Sequence, residues 1–201
     1  MNTLRRLLLI AALMIPAGVA WAGPLPPVTA QDRVLGRANA PVTVVEYASM
    51  TCSHCAAWYL QVLPDFKARY IDTGKVRLVY RDLPTAPVEA AVTAAGIARC
   101  AAPGRYFDVV HAFMDGQADL HTGGQVGAWY QLGVAASGRT EDEIQTCLSD
   151  ADLIPRIRAE VEGGADAGVE GTPTFFVNGR KLAGNSLEAL SAAIDPLLTT
   201  R

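Results

Sequence analysis

Hydrophobic and polar positions follow two rhythms along the chain, and their order predicts an architecture. The segment PVTVVEYAS, which starts at Pro41, is apolar and rich in β-branched residues, so it predicts a buried strand. A helix is expected from about Ser53 to Ile71, bent near Pro64 and ended by Gly74. The segment KVRLVYRDLP predicts a second strand. A strand, a helix and a strand form a βαβ unit with parallel strands.

The middle of the chain has a different pattern. It is rich in Ala and Gly and shows helical spacing of apolar residues in PVEAAVTAAGIARC, YFDVVHAFMD and VGAWYQLGVAA. Thr140 and Glu143 have the spacing of a capping box, which predicts a further helix through Cys147, and another helix is expected to run through Glu162. This region is therefore predicted to be a helical insertion.

Strand character returns in GTPTFFVNGRKLAG. Its Asn178-Gly179 dipeptide favours a tight two-residue turn between two antiparallel strands. Asn185, followed three residues later by Glu188, is expected to begin a last helix that ends before Pro196.

The predicted order is β, α, β, several helices, β, β, α. It describes an α/β protein with a central mixed sheet, namely a thioredoxin fold with an inserted helical domain. We expect the βαβ half at residues 23–86, the helical insertion at 87–167 and the ββα half at 168–201.

The first 22 residues are predicted to be a signal peptide, and not part of the fold. Arg5 and Arg6 precede a largely apolar run, and Ala20-Trp21-Ala22 is an A-x-A cleavage signal. The alternative is an uncleaved membrane anchor, but the run is shorter than the roughly 20 apolar residues that a spanning helix needs. We expect cleavage after Ala22 and a periplasmic or secreted protein.

The charge balance excludes some partners. Cleavage would remove two of the 17 basic residues and leave 15 against 20 acidic ones. No basic block remains that would bind nucleic acid or an anionic membrane surface. We therefore expect neither as a partner.

Two of the four cysteines, Cys52 and Cys55, lie three positions apart where the first strand gives way to a helix. This spacing suits half of a zinc site, a structural disulfide or a redox-active pair. Zinc is disfavoured because Cys100 and Cys147 lack ligand spacing, and export favours disulfide chemistry.

The position of Cys52 favours the redox interpretation. A thiol at the first turn of a helix faces free N–H groups and the positive end of the helix dipole, and His54 could add to this stabilisation of the thiolate. Such surroundings lower thiol pKa values from about 8.5 to between about 3.5 and 7.5. A thiolate stabilised in this way favours the reduced protein, which makes the oxidised protein an oxidant.

Two further features support this interpretation. The X-Pro bond of Thr172-Pro173 opens a predicted strand and could be cis, leaving the backbone of Thr172 exposed beside the sulfurs. Glu46 lies six residues before Cys52 on the first strand, where alternation would point it inward below the site.

Together, EYASMTCSHC and GVEGTPTFFVNG resemble the DsbA-like branch of the thioredoxin superfamily, the bacterial exported thiol oxidases. The resemblance covers nearly all of the chain after residue 22. The dipeptide between the cysteines is Ser53-His54, where the family most often has Pro-His. By resemblance, the site consists of the nucleophile Cys52, its buried partner Cys55, the cis-proline loop Thr172-Pro173, and Glu46 as the buried acid that assists proton transfer at Cys55.

The resemblance also bears on the other two cysteines, since some family members have a second, structural disulfide in the insertion. A bridge between Cys100 and Cys147 is the favoured interpretation, ahead of two buried free thiols or a second redox pair. Closing a loop of this length would stabilise the fold by roughly 4 kcal/mol on the chain-entropy model.

The resemblance implies a monomeric protein-disulfide oxidoreductase that oxidises reduced, unfolded proteins and is reoxidised by a quinone-linked membrane partner. Neither a dissociable cofactor nor a metal is expected. Met50 and Trp58 are candidates for an apolar substrate surface, although both could equally be core. The alternatives are a disulfide isomerase or reductase, and a non-enzymatic metal-handling or chaperone protein on the same fold.

Overall fold

A central sheet of five strands organises the chain, for which a computed structural model describes residues 23–121 and 125–199. The strand order across the sheet is β1-β3-β2-β4-β5. The strands are β1 (Arg33–Leu35), β2 (Val42–Ala48), β3 (Val76–Asp82), β4 (Thr174–Val177) and β5 (Arg180–Lys181).

Helices flank the sheet and fill the long connection between β3 and β4. The first crossover contains α1 (Ser53–Gln61) and α2 (Leu63–Phe66), which continues into a π-helical turn at Lys67–Ile71. The β3–β4 connection contains α3 (Val88–Arg99), α4 (Tyr106–Asp115), α5 (Gln117–His121), α6 (Val126–Ala136), α7 (Glu141–Leu148) and α8 (Leu153–Asp166). The last helix is α9 (Leu187–Thr199). None of these helices, in the part of the chain described, has the length and apolar character to cross a membrane.

The predicted βαβ and ββα units are both present. β2 and β3 are parallel, and β4 pairs antiparallel with β2 on one side and with β5 on the other. The short strand β1, which pairs antiparallel with β3, was not predicted from the sequence. Its three residues are too few to show an alternating pattern.

The sheet separates two apolar clusters, because successive residues of a strand point to opposite faces. On β2 and β3, Val44, Ala48 and Leu78 belong to the larger cluster, which includes residues of α1, α3, α4 and α9. Val45 and Val79 belong to the smaller one, which includes residues of the segment after α8. The larger cluster lies on the face that carries the CxxC helix.

Several local predictions agree with the structure. The helix after β2 is interrupted at Val62, with Pro64 at the start of α2, and Gly74 has the positive φ of a helix-ending residue. The Thr140 capping box is present at α7. Asn178 and Gly179 both have positive φ, as a tight turn between β4 and β5 requires.

The prediction for the last helix was wrong at both ends. The Ser186 hydroxyl, and not Asn185, accepts the capping hydrogen bond, from the N–H of Ala189 at 3.1 Å. The helix also continues through Pro196. A proline in the last turn removes a single hydrogen bond, and the burial of Leu190 and other apolar residues holds the helix in place.

A disulfide joins Cys100, at the end of α3, to Cys147 in α7, with an S–S distance of 2.03 Å. It closes a loop across a sequence separation of 47 residues within the helical region. Cys52 and Cys55 are free thiols.

Candidate active site

The loop after β2 places Cys52 at the N-terminus of α1. Cys52 has an extended backbone and is the N-cap residue, and its carbonyl oxygen accepts the N–H of Ala56 at 3.0 Å. Its own N–H donates to the carbonyl of Ser49 at 3.1 Å, which fixes the turn between strand and helix. The sulfur therefore lies where the first N–H groups of the helix have no partner within the helix.

Hydrogen bonds lower the pKa of Cys52 to about 5. The largest contribution is the hydrogen bond from the thiol of Cys55; the Thr172 hydroxyl and the backbone N–H groups of Cys55 and His54 add to it, and partial burial opposes them. As a thiol, Cys52 instead donates to the carbonyl of Thr172 at 3.4 Å. The site offers the sulfur more stabilisation as a thiolate than as a thiol.

Cys55, one turn further into α1, has the opposite environment. Its side chain is completely buried, and this burial raises the pKa of its thiol far above the ordinary value. The hydrogen bond to Cys52 and the negative charges of Glu46 and Cys52 raise it further. At neutral pH the pair therefore consists of a partly exposed thiolate and a buried thiol.

Glu46 lies on β2, with Tyr80 directly opposite on β3 and Phe175 directly opposite on β4. It is fully buried, and neither carboxylate oxygen has a hydrogen-bond partner among the described residues. Burial, assisted by the charge of Cys52, raises the pKa of Glu46 to about 8. Its carboxyl group can therefore gain or lose a proton near neutral pH, next to a thiol that must do the same.

The Thr172-Pro173 peptide bond is cis and immediately precedes β4. It brings the backbone of Thr172 against Cys52, as the contact at 3.4 Å records. The side chain of His54 is exposed. His54 lowers the pKa of Cys52 through a hydrogen bond from its backbone N–H. The structure thus brings Cys52, Cys55 and Thr172 together with the backbone of His54.

Sequence reasoning missed Gln117, which connects the helical region to the site. Its buried side-chain amide donates to the carbonyl of Met50 at 2.7 Å and to that of Cys52 at 3.1 Å. Gln117 lies 65 residues after Cys52, so no local pattern could have identified it. It holds the loop that presents the nucleophilic sulfur.

Met50 and Trp58, for which a substrate surface and a core role were both open, lie in the core. Their exposed fractions are 1% and 2%, and both belong to the larger apolar cluster. Trp58 packs against Phe175 with ring centroids 4.7 Å apart, and its indole N–H donates to the carbonyl of Asn185 at 2.8 Å. Both residues therefore support the site from within the core.

Within the described ranges, no three or more His, Cys, Asp or Glu side chains are grouped as a metal ion would require. The arrangement instead has one accessible thiolate, one buried thiol and one buried acid. These are the groups that thiol–disulfide exchange needs.

Comparison with known proteins identifies the relationship. The family model described as Thioredoxin matches residues 28–196. The chain belongs to the thioredoxin family. A Rickettsia bellii protein named "Putative protein-disulfide oxidoreductase" is 34% identical over 173 residues, which are 82% of this chain and 63% of that protein. A Rickettsia conorii protein with a similar name is 33% identical, with 83% and 60% covered. The chain thus spans about three fifths of the length of these relatives.

Solved structures give the same relationship. Wolbachia pipientis alpha-DsbA1 superposes with a TM-score of 0.74 at 25% identity, covering 86% of this thioredoxin-family chain and 93% of its own. Oxidised BdbD from Bacillus subtilis superposes with a TM-score of 0.77 at 20% identity, covering 89% and 98%, which supports the fold alone. The predicted thioredoxin fold and the resemblance to DsbA-like proteins are confirmed.

Proposed function

We propose that this protein is an exported thiol:disulfide oxidoreductase that introduces disulfide bonds into other proteins through Cys52 and Cys55. The observation that carries the proposal is the contrast between the two sulfurs. Cys52 is partly exposed with its pKa lowered to about 5, whereas Cys55 is buried with its pKa raised. A client thiolate can therefore reach only one sulfur of the oxidised pair.

The reaction has two exchange steps. A client thiolate attacks Cys52, the Cys52–Cys55 bond breaks, and Cys55 leaves and takes a proton from Glu46, the buried acid whose charge acts on it. A second client thiolate then attacks the client sulfur of the mixed disulfide and releases Cys52 as a thiolate. The client loses two electrons and forms a disulfide, and the protein gains them as one thiolate and one thiol.

The charge stabilisation at Cys52 favours this direction. A thiol whose pKa is about 5 is ionised at pH 7, which favours the reduced protein by about two pKa units, or at most about 2.7 kcal/mol because solvent screens a partly exposed sulfur. For a two-electron couple this corresponds to at most about 60 mV toward a more oxidising potential.

A groove beside the cis-proline loop is the place where we expect clients to bind. It has a volume of about 440 Å³ and is lined by Pro173, Phe175, Leu182 and Asn185, among others. Because Thr172 contacts Cys52, a segment in this groove would lie next to the reactive sulfur. The groove takes the place of the surface first sought at Met50 and Trp58.

The cellular setting is part of the proposal. Relatives with DsbA names and the apolar segment before Gly23 support a periplasmic protein with cleavage after Ala22, a position that lies outside the described residues. We further propose a quinone-linked membrane reoxidant, reduced unfolded client proteins and a monomeric state, by analogy with the DsbA-like family.

Equilibrium with a glutathione redox buffer tests the proposal, using the chain from Gly23 onward. An oxidase should be more oxidising than about −180 mV, the value of protein disulfide isomerase, whereas a value near −270 mV, that of thioredoxin, would identify a reductase. A model peptide with two thiols should be oxidised by the wild type and not by Cys52→Ser. Repair of a client with scrambled disulfides, without oxidation of the peptide, would favour an isomerase.

A further inference from the structure

A row of polar side chains crosses the sheet from Glu46 to its outer strand. Glu46 on β2 lies directly opposite Tyr80 on β3, and Tyr80 lies directly opposite Arg33 on β1. Residues directly opposite each other on neighbouring strands project from the same face of a sheet. The row therefore lies on the face that carries the CxxC helix and leads from the site to the outermost strand on that side.

Tyr106, the first residue of α4, completes the row above the sheet. The ring centroid of Tyr106 is 6.0 Å from that of Tyr80. The guanidinium carbon of Arg33 lies 5.4 Å from the centroid of the Tyr106 ring. Tyr80 also interacts electrostatically with Glu46 and Cys55. In space, the four side chains of the row therefore follow one another in the order Glu46, Tyr80, Tyr106 and Arg33.

Each of these four side chains has at least one buried polar atom without a hydrogen-bond partner among the described residues. Among the described residues, six buried side-chain nitrogen and oxygen atoms lack a hydrogen-bond partner, and five belong to the row: both carboxylate oxygens of Glu46, the hydroxyls of Tyr80 and Tyr106, and Nε of Arg33. Proteins satisfy nearly all buried polar atoms with protein groups or internal water. Their concentration in one row is what we expect where internal water bridges such groups.

The chemistry at the site needs such a connection. Glu46 and Cys55 are both fully buried, so neither exchanges a proton directly with solvent. Arg33 lies on the last strand on this side of the sheet and is only partly buried. A phenol hydroxyl can donate one hydrogen bond and accept another, so Tyr80 and Tyr106 can pass a proton along bridging water and end as they began.

We propose that the row from Glu46 through Tyr80 and Tyr106 to Arg33 is the path by which protons pass between the buried Cys55–Glu46 pair and solvent. When Cys55 leaves a disulfide, it takes the proton of the Glu46 carboxyl, and the row returns one proton from solvent to Glu46. When the disulfide re-forms, Cys55 gives its proton to Glu46, and the row carries it out. Arg33 orients water at the outer end. The role of Cys55 in this cycle rests on the proposed function, whereas the path itself does not.

Infrared spectroscopy of the reduced protein tests the path. The C=O stretching band of the protonated Glu46 carboxyl, assigned by its loss in Glu46→Gln, shifts when deuterium replaces the proton. After rapid mixing into heavy water at about pH 6, below the Glu46 pKa of about 8, the wild-type band should shift much faster than the backbone amides of β2 exchange. Tyr80→Phe should slow the shift by about tenfold or more, and Tyr106→Phe should slow it as well.

The matched control is Tyr59→Phe. Tyr59 is a buried phenol on α1 that also interacts with Glu46 electrostatically, but it is not on the row. It should leave the exchange rate unchanged. Equal slowing in this control, unchanged rates in both row variants, or wild-type exchange as slow as the β2 amides would each overturn the path.

The measurement also separates this inference from the proposed function. It follows one carboxyl group in the reduced protein and requires no client or oxidant. Failure of the protein to oxidise dithiols would leave an observed path standing, whereas normal oxidation without any effect of Tyr80→Phe would remove the path alone. If Tyr80→Phe did not fold, Tyr106→Phe would decide the question.

Discussion

Two buried polar side chains that are neighbours on β3, one on each face of the sheet, have opposite surroundings. Tyr80 and Arg81 are adjacent on β3 and project to opposite faces. Arg81 donates to both carboxylate oxygens of Asp32, at 2.8 and 3.4 Å, and to the Tyr47 hydroxyl at 3.2 Å. On the other face, the Tyr80 hydroxyl has no hydrogen-bond partner among the described residues.

The remaining donors of Arg81 reach the backbone of the N-terminal segment. They donate to the carbonyls of Pro26 and Pro27, both at 3.0 Å. These hydrogen bonds hold the segment before β1 against the sheet. Removing one member of such a buried set is costly, because the remaining groups stay buried without their partner.

Glu46 illustrates the other case. A buried carboxyl group without a partner costs free energy and stabilises nothing. A buried Glu46 beside Cys55 is explained if its exchange of a proton with Cys55 is needed for function, although its burial lowers the stability of the fold. For these two groups, full pairing of Arg81 accompanies a structural role, and the lack of pairing at Glu46 accompanies a chemical one.

The largest expected effect is at Arg81. Arg81→Met should lower the free energy of unfolding by about 3 to 5 kcal/mol, because it leaves Asp32 and the two proline carbonyls buried without their donor. Denaturant unfolding would measure it. Asp32→Asn in the same chain should recover part of the loss, since the unpaired charge is then removed.

Arg77→Met is the matched control for Arg81. Arg77 lies on the same strand and face, and donates to the Thr43 hydroxyl at 2.8 Å and to the Ala38 carbonyl at 2.9 Å. Because Arg77 is half-buried and its bond to Ala38 is exposed, water can replace the lost donor, and the loss should be about 1 kcal/mol. Similar losses for the two arginines would contradict the importance of the buried ion pair.

Glu46→Gln should raise the free energy of unfolding, in contrast to Arg81→Met. The folded protein holds the pKa of Glu46 at about 8, against an ordinary value of 4.5, so stability falls as pH rises between these values. Gln does not titrate, and the variant should gain about 3 kcal/mol over the wild type between about pH 4.5 and 7. Unfolding of both reduced proteins across this pH range would measure the gain. A difference that stays constant with pH would mean that Glu46 does not change protonation on folding.

A smaller effect should separate two tyrosines. Tyr47→Phe removes a hydrogen bond to the charged Arg81 and should cost about 1.5 to 3 kcal/mol. Tyr80→Phe removes a hydroxyl that has no such bond, and the free energy of unfolding should change by less than about 0.5 kcal/mol. Thermal or denaturant unfolding of the two variants would compare them directly, and a larger loss for Tyr80→Phe would contradict this contrast between the paired and the unpaired hydroxyl.

The smallest expected effect is at His54. Its side chain is exposed, and its contribution to the Cys52 thiolate is made by the backbone N–H, which alanine retains. His54→Ala should therefore raise the pKa of Cys52 by less than about one unit. Thiolate absorbance of the variant against pH would measure the shift. A rise of two units or more would restore the larger role that the sequence alone gave to the imidazole.

Local patterns in the sequence were sufficient for much of the fold. Apolar, β-rich segments identified β2 and β3, the Asn178-Gly179 turn identified the hairpin, and the capping box at Thr140 identified α7. These signals act over a few residues, so they can be read in a linear sequence. The CxxC motif and the Thr172-Pro173 pair were identified for the same reason.

What the sequence could not provide depends on contacts between distant segments. Gln117 reaches the Cys52 carbonyl across 65 positions, and Arg81 reaches Asp32 across 49. The row from Glu46 to Arg33 depends on the register of three strands, one of which was not predicted. The start of the last helix was misplaced because the Ser186 hydroxyl accepts the capping N–H of Ala189.

The pH titration of the Cys52 thiolate is the strongest test of Cys52 as an oxidising thiol. In the reduced protein, thiolate absorbance should rise with a midpoint at about pH 5, and the signal should be absent from Cys52→Ser. Cys55 should remain protonated throughout the neutral range, because burial raises its pKa. A midpoint above about pH 7 would contradict the account, because the reduced protein would then have no stabilised charge at neutral pH and no reason to act as an oxidant.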